Sequence, residues 1–129
     1  MMYKPAMAAG ALFAALAVIL GAFAAHALKA VMAIDQLAIF ETGVRYQFYH
    51  SIGLFIVGIA YQSFPTKMIK VAANFFITGI LLFSGSLYAM TLMSINHMTL
   101  GPLGIITPVG GLFFILGWVM IMLGVLKKN

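Results

Sequence analysis

The chain has 129 residues, 64% of them apolar and 7% charged, with a formal charge of +5. A water-facing surface usually needs about a quarter charged residues, so a soluble globular domain is excluded and the natural solvent is lipid. There is no cysteine, which removes disulfides, thiol nucleophiles, thiolate zinc sites and cysteine-held iron–sulfur clusters.

The cations are scattered at the ends of apolar runs, which points to membrane lipids with anionic headgroups as partners and not to nucleic acid. Four such runs follow one another, at 6–27, 46–64, 71–93 and 105–126. Each approaches the roughly 20 residues a helix needs to cross a bilayer, and helices satisfy their own backbone groups where lipid cannot. The fold expected is an all-α integral membrane protein, a single four-helix bundle over residues 1–129.

In the first run, Lys4 precedes the apolar stretch, and Ala22-Phe23-Ala24 resembles a signal-peptidase site. The stretch is longer than a signal core, so it reads as a span. Gly10, Ala14, Ala17, Gly21 and Ala24 recur at steps of four and three, a seam for close helix packing.

Between the first two runs, residues 29–44 are too mixed to cross. Ile34, Leu37, Ala38 and Glu41 keep helical spacing. A short helix at the outer interface, or an irregular loop, is expected there, with Gly43 as the bend into the second span. Glu41 and Arg45 have the i,i+4 spacing of a local ion pair. Tyr46 and Tyr49 suit the aromatic belt at headgroup level. Gly43, Tyr46, His50, Gly53, Val57 and Ala60 form one stripe, which turns His50 toward the other helices. Intramembrane ionisable groups lean functional, so His50 is the first residue to explain.

Phe64-Pro65-Thr66-Lys67 closes the second run. The third carries Asn74, Thr78 and Gly85 on one face, and Ser84 one turn from Tyr88. Such hydroxyls and amides read as bonds between helices, with an ion or ligand path as the alternative. Leu100-Gly101-Pro102-Leu103-Gly104 separates the last two runs, and Thr107-Pro108 is expected in the first turn of the fourth helix. Gly110, Gly117 and Gly124 repeat every seven residues, a second packing seam.

Lys4, Lys67, Lys70, Lys127 and Lys128 fall on one side of the expected hairpin pair, and Lys29 and Arg45 on the other. That bias places both termini in the cytoplasm. His26, His50 and His97 then all lie toward the outer face. No metal-ligand spacing is present, so no metal or cofactor is expected. Phosphate-cradling glycine loops, dinucleotide fingerprints and a readable Ser-His-Asp arrangement are absent as well.

Four stretches together resemble the YgdD-like family of small bacterial membrane proteins (domain of unknown function 423), related to the eukaryotic transmembrane protein 256. They are Gly21-Ala22-Phe23-Ala24-Ala25-His26; Thr42-Gly43 with Tyr46-Gln47 and His50; Phe83-Ser84-Gly85-Ser86-Leu87-Tyr88; and Thr107-Pro108-Val109-Gly110-Gly111 with Phe114, Gly117 and Trp118. Ala24 stands where the family pattern has glycine. The resemblance implies a bacterial inner-membrane protein of four helices and no particular activity. It picks out His26, Tyr46, Gln47, His50, Ser84, Ser86 and Tyr88 as polar motif members.

The leading functional expectation is a non-enzymatic membrane protein. Those seven residues would form a polar pocket in the outer half, for a lipid headgroup, small ligand or ion. The alternatives are a small transporter or channel, made by homo-oligomers joined through the glycine seams, and a membrane enzyme acting on lipid or quinone. The last would use His50 with Tyr46 or Tyr49 as acid and base.

Overall fold

A computed structural model describes residues 1–98 and 101–127. Leu100, in the break before the last helix, and Lys128, among the cations of one end, lie outside the described residues. Every regular element among the described residues is helical: α1 (Lys4–His26), a 3₁₀ turn (Leu28–Ala30), α2 (Ile34–Ser63), α3 (Lys67–Gly79), α4 (Gly85–Ile95) and α5 (Leu103–Leu126). A π turn (Ile80–Ser84) fuses α3 to α4. By length and composition, Lys4–Ala30, Lys67–Ile95 and Leu103–Leu126 can each cross a membrane.

The helix ends follow local chemistry. Pro5 sits in the first turn of α1, where its missing N–H costs little. Thr66 caps α3 by accepting from the Ile69 amide. Beyond α4, His97 takes a left-handed conformation at φ 54°. The amides of His97 and Met98 then close onto the Ser94 and Met93 carbonyls, the pattern that ends a helix with an αL residue.

Two expectations about boundaries change. No separate interfacial helix precedes the second apolar run, because α2 runs unbroken through Gly43 for 30 residues. A glycine inside a helix costs only about 1 kcal/mol. Here it makes a contact rather than a bend, since the Tyr88 ring lies where a Cβ would be. The first part of α2 packs Phe40 with Ala24 and Leu28 near the end of α1. Pro108 is not in the first turn either. α5 begins at Leu103 and carries Pro108 inside it.

The helices alternate in direction. The Tyr3 amide donates to the Gly58 carbonyl at 3.0 Å, which pins the start of α1 to the end of α2. α5 runs against α3, with Gly124 beside Ile69, Gly117 beside Phe76 and Gly110 beside Phe83. Gly124 and Gly117 thus receive side chains of a second seven-residue series, and Gly110 lies against the backbone of its third member. The seam expected to join separate copies is filled from within the chain. On α1, Gly10 packs against the Ser51 carbonyl and Leu54 of α2.

The main core gathers Leu54, Val57, Ile69, Phe76, Ile80 and Phe114 between α2, α3 and α5. Large apolar side chains such as Leu12, Ile19, Leu112, Ile115 and Met122 point outward. Contiguous apolar surface of this kind needs a partner, and lipid supplies one. α2 is the least apolar of the long helices. Its polar residues Gln47, His50 and Ser51 face inward and are buried.

Candidate functional site

The inward polar residues of α2 lie midway along it, level with the middle of the bundle. His50 stacks on Phe114, halfway along α5, at 3.5 Å between centroids and 7° between planes. The cluster is therefore midway along the bundle rather than toward one face. The cause is the early start of α2 at Ile34.

His50 is 6% exposed, and both its ring nitrogens are engaged. The Trp118 indole N–H, which can only donate, lies 3.2 Å from Nε2. Nε2 is then the acceptor, and Nδ1 carries the proton it gives to the Tyr46 carbonyl at 2.8 Å. Phe76 meets the imidazole edge-on at 5.3 Å. A histidine satisfied on both sides and clamped between aromatics holds a shape. It has no free nitrogen with which to ligate a metal or to take up a proton in this arrangement.

The seven residues do not share one pocket. Tyr46 and His50 face α5. Gln47 faces the other way, donating from Nε2 to the Phe13 carbonyl of α1 at 2.9 Å and accepting from the Tyr88 hydroxyl at 2.8 Å. One amide thus ties three helices. Ser84, fully buried in the π turn, donates to the Gly43 carbonyl at 2.7 Å. Ser86 commits its proton to the Phe83 carbonyl at 2.9 Å, so the Thr107 hydroxyl of α5 donates to it at 2.6 Å. His26 is exposed at the end of α1, away from the rest. Among the described residues, no three His, Asp or Glu side chains gather to share a metal ion.

Arg45 and Glu41 are both exposed. Arg45 donates to the Thr42 hydroxyl at 3.0 Å, and Thr42 in turn donates to the Ala38 carbonyl. Its bonded partner is therefore this hydroxyl rather than the expected carboxylate.

On the α5 side, a groove of about 680 Å³ opens in the outer wall of the bundle. Tyr46, His50, Phe83, Phe114 and Trp118 line it, and Pro108, Gly111, Leu112 and Ile115 complete its α5 wall. The groove exists because the backbones of α2 and α5 stand apart, and because Gly111 presents no side chain. A Cβ placed there would meet only the Phe83 ring, at 3.7 Å. Sequence reasoning missed Trp118, Phe83 and Gly111 as parts of this site. Gly111 and Trp118 stand in the Thr107–Trp118 motif and Phe83 in the Phe83–Tyr88 one, but only the polar motif members stand out as candidates.

The model of a protein family of unknown function, DUF423, matches residues 20–111. The membrane protein YwdK of Bacillus subtilis is 41% identical over 119 residues, 92% of this chain and 93% of that protein. A membrane protein of Staphylococcus saprophyticus is 40% identical over 92% of this chain and 93% of its own. The inner membrane protein YgdD of Escherichia coli is 34% identical over 85% of this chain and 80% of its own. No solved structure matches the fold. With a family model over most of the chain and bacterial relatives aligned along nearly all of it, the protein belongs to the DUF423 family of membrane proteins of unknown function.

Proposed function

We propose that the protein is a non-enzymatic membrane protein that holds one apolar chain of a membrane lipid in the groove between α2 and α5. The observation that carries this reading is the groove itself: aromatic walls, open toward the surrounding lipid, at the depth where acyl or isoprenoid chains lie. His50 serves it as a strut, since its bonds to Trp118 and Tyr46 fix the wall. The remaining polar residues, Gln47, Ser84, Ser86 and Tyr88, tie the helices that frame it.

The reading has α2 as a fourth span. Its 30 residues extend about 45 Å, and it lies antiparallel to α1 along their shared length. Both termini are then cytoplasmic in the bacterial inner membrane. The gathering of Lys4, Lys67, Lys70 and Lys127 at one end, against Lys29 and Arg45 toward the other, supports that direction. Partners are membrane lipids. Self-association would need a face other than the glycines of α5.

The test is Gly111→Leu, which fills the groove and meets only a ring edge. Native mass spectrometry of the full chain released from nanodiscs should show retained lipid falling while thermal unfolding stays within a few degrees. Unchanged retention in the folded variant would sink the groove as a lipid site.

A further inference from the structure

A second recess, of about 340 Å³, lies at the lysine-rich end, remote from the groove. It opens where the start of α1, the last turn of α2 and the first turn of α3 meet. Tyr3, Lys4, Tyr61 and Lys70 form its polar wall, and Met1, Met2 and Pro5 its apolar rim.

The wall is built, not incidental. The backbone bond to Gly58 holds Tyr3 in place. Its ring packs on Tyr61 with centroids 5.6 Å apart. The Lys70 ammonium lies over both faces, 4.9 Å from the Tyr61 centroid and 5.5 Å from that of Tyr3. Cation–π contact restrains an ammonium without neutralising it, and leaves its N–H donors to spare. Lys4 lines the same recess. The only Asp and Glu of the chain, Asp35 and Glu41, belong to the first turns of α2, at the opposite end of the bundle. Two lysines in one small recess, with no side-chain carboxylate near, call for an external anion.

We infer that this recess binds the phosphodiester headgroup of an anionic phospholipid. Lys4 and Lys70 hold the phosphate oxygens, and the hydroxyls of Tyr3 and Tyr61 suit a polar headgroup at the interface. The apolar rim of Met1, Met2 and Pro5 favours a lipid over free phosphate, because the ester's glycerol and chains can continue onto it.

The experiment uses the full chain in nanodiscs of phosphatidylcholine doped with phosphatidylglycerol, with native mass spectrometry counting retained phosphatidylglycerol. The double variant K4Q/K70Q should lose about tenfold or more in retention. K67Q/K127Q, which removes the same charge outside the recess, should lose less than about twofold, and K70R should retain the lipid. Equal losses in the two doubles would reduce the effect to a general charge field and overturn the site. Unchanged retention in K4Q/K70Q would overturn it too. Full displacement by excess inorganic phosphate would assign the recess to a free anion instead. Gly111→Leu should leave this retention untouched, which separates the recess from the groove.

Discussion

The bundle has two kinds of internal joint. Along α5, Ile69 and Phe76 of α3 drop into the spaces left by Gly124 and Gly117, and Gly110 lies against the backbone of Phe83 in the π turn. Between α2 and its neighbours, Gly10 and Gly43 also pack closely, but hydrogen bonds run across as well, from Gln47 to Phe13, Tyr88 to Gln47 and Ser84 to Gly43. The first joint works by shape, and the second adds hydrogen bonds to it. In lipid, burying apolar area between helices yields little, so close packing and interhelical bonds must do what the hydrophobic effect does in water. The difference lies in tolerance. Backbone pressed against backbone has nowhere to move, whereas a lost bond leaves groups that can find other partners.

The largest effect should come from the shape joint. Gly110→Ala sets a Cβ against the backbone of Phe83, so the two helices must separate. Overpacking costs about 1–3 kcal/mol and sometimes more, and a rigid neighbour puts this case at about 3 kcal/mol or above. Thermal or denaturant unfolding in detergent should show it, and a wild-type midpoint would mean the seam is looser than drawn. Gln47→Leu should be milder, about 1–2 kcal/mol, since interhelical bonds average well under 1 kcal/mol each. Paired with Tyr88→Phe in a double-mutant cycle, it should be non-additive, and strict additivity would count against the shared bond. Arg45→Leu should change unfolding by less than about 0.5 kcal/mol, because its bonded partner, Thr42, lies on its own helix. A larger loss would reveal a third joint.

Much of this was legible beforehand. Apolar length marked out the helices, and small-residue spacing marked both seams. The glycines could not name their partner, since a stripe that fits another copy fits an antiparallel neighbour as well. The matching series was nonetheless in the chain, as Ile69, Phe76 and Phe83 repeat at the same step of seven. Gly43 misled because a helical glycine marks a bend and a close contact alike, and only the Tyr88 ring decides between them. His50 could be assigned to the interior from its stripe. Its bond to Trp118 spans 68 residues, a relation no local pattern encodes. The groove was illegible for a similar reason: it is made by two helices whose backbones stand apart.

The π turn at Ile80–Ser84 has one more consequence. It takes up one residue more than an α turn, so everything after it is displaced by about 100° around the helix axis. Before that step, Phe76 fits against Gly117 and Gly53. After it, Ser86 reaches α5 while Tyr88 reaches α2. Losing a single position there would rewind the helix and swing both away together. Beyond what those five residues contact, their number has its own effect: one surplus unit of length lets a single rod address two neighbours.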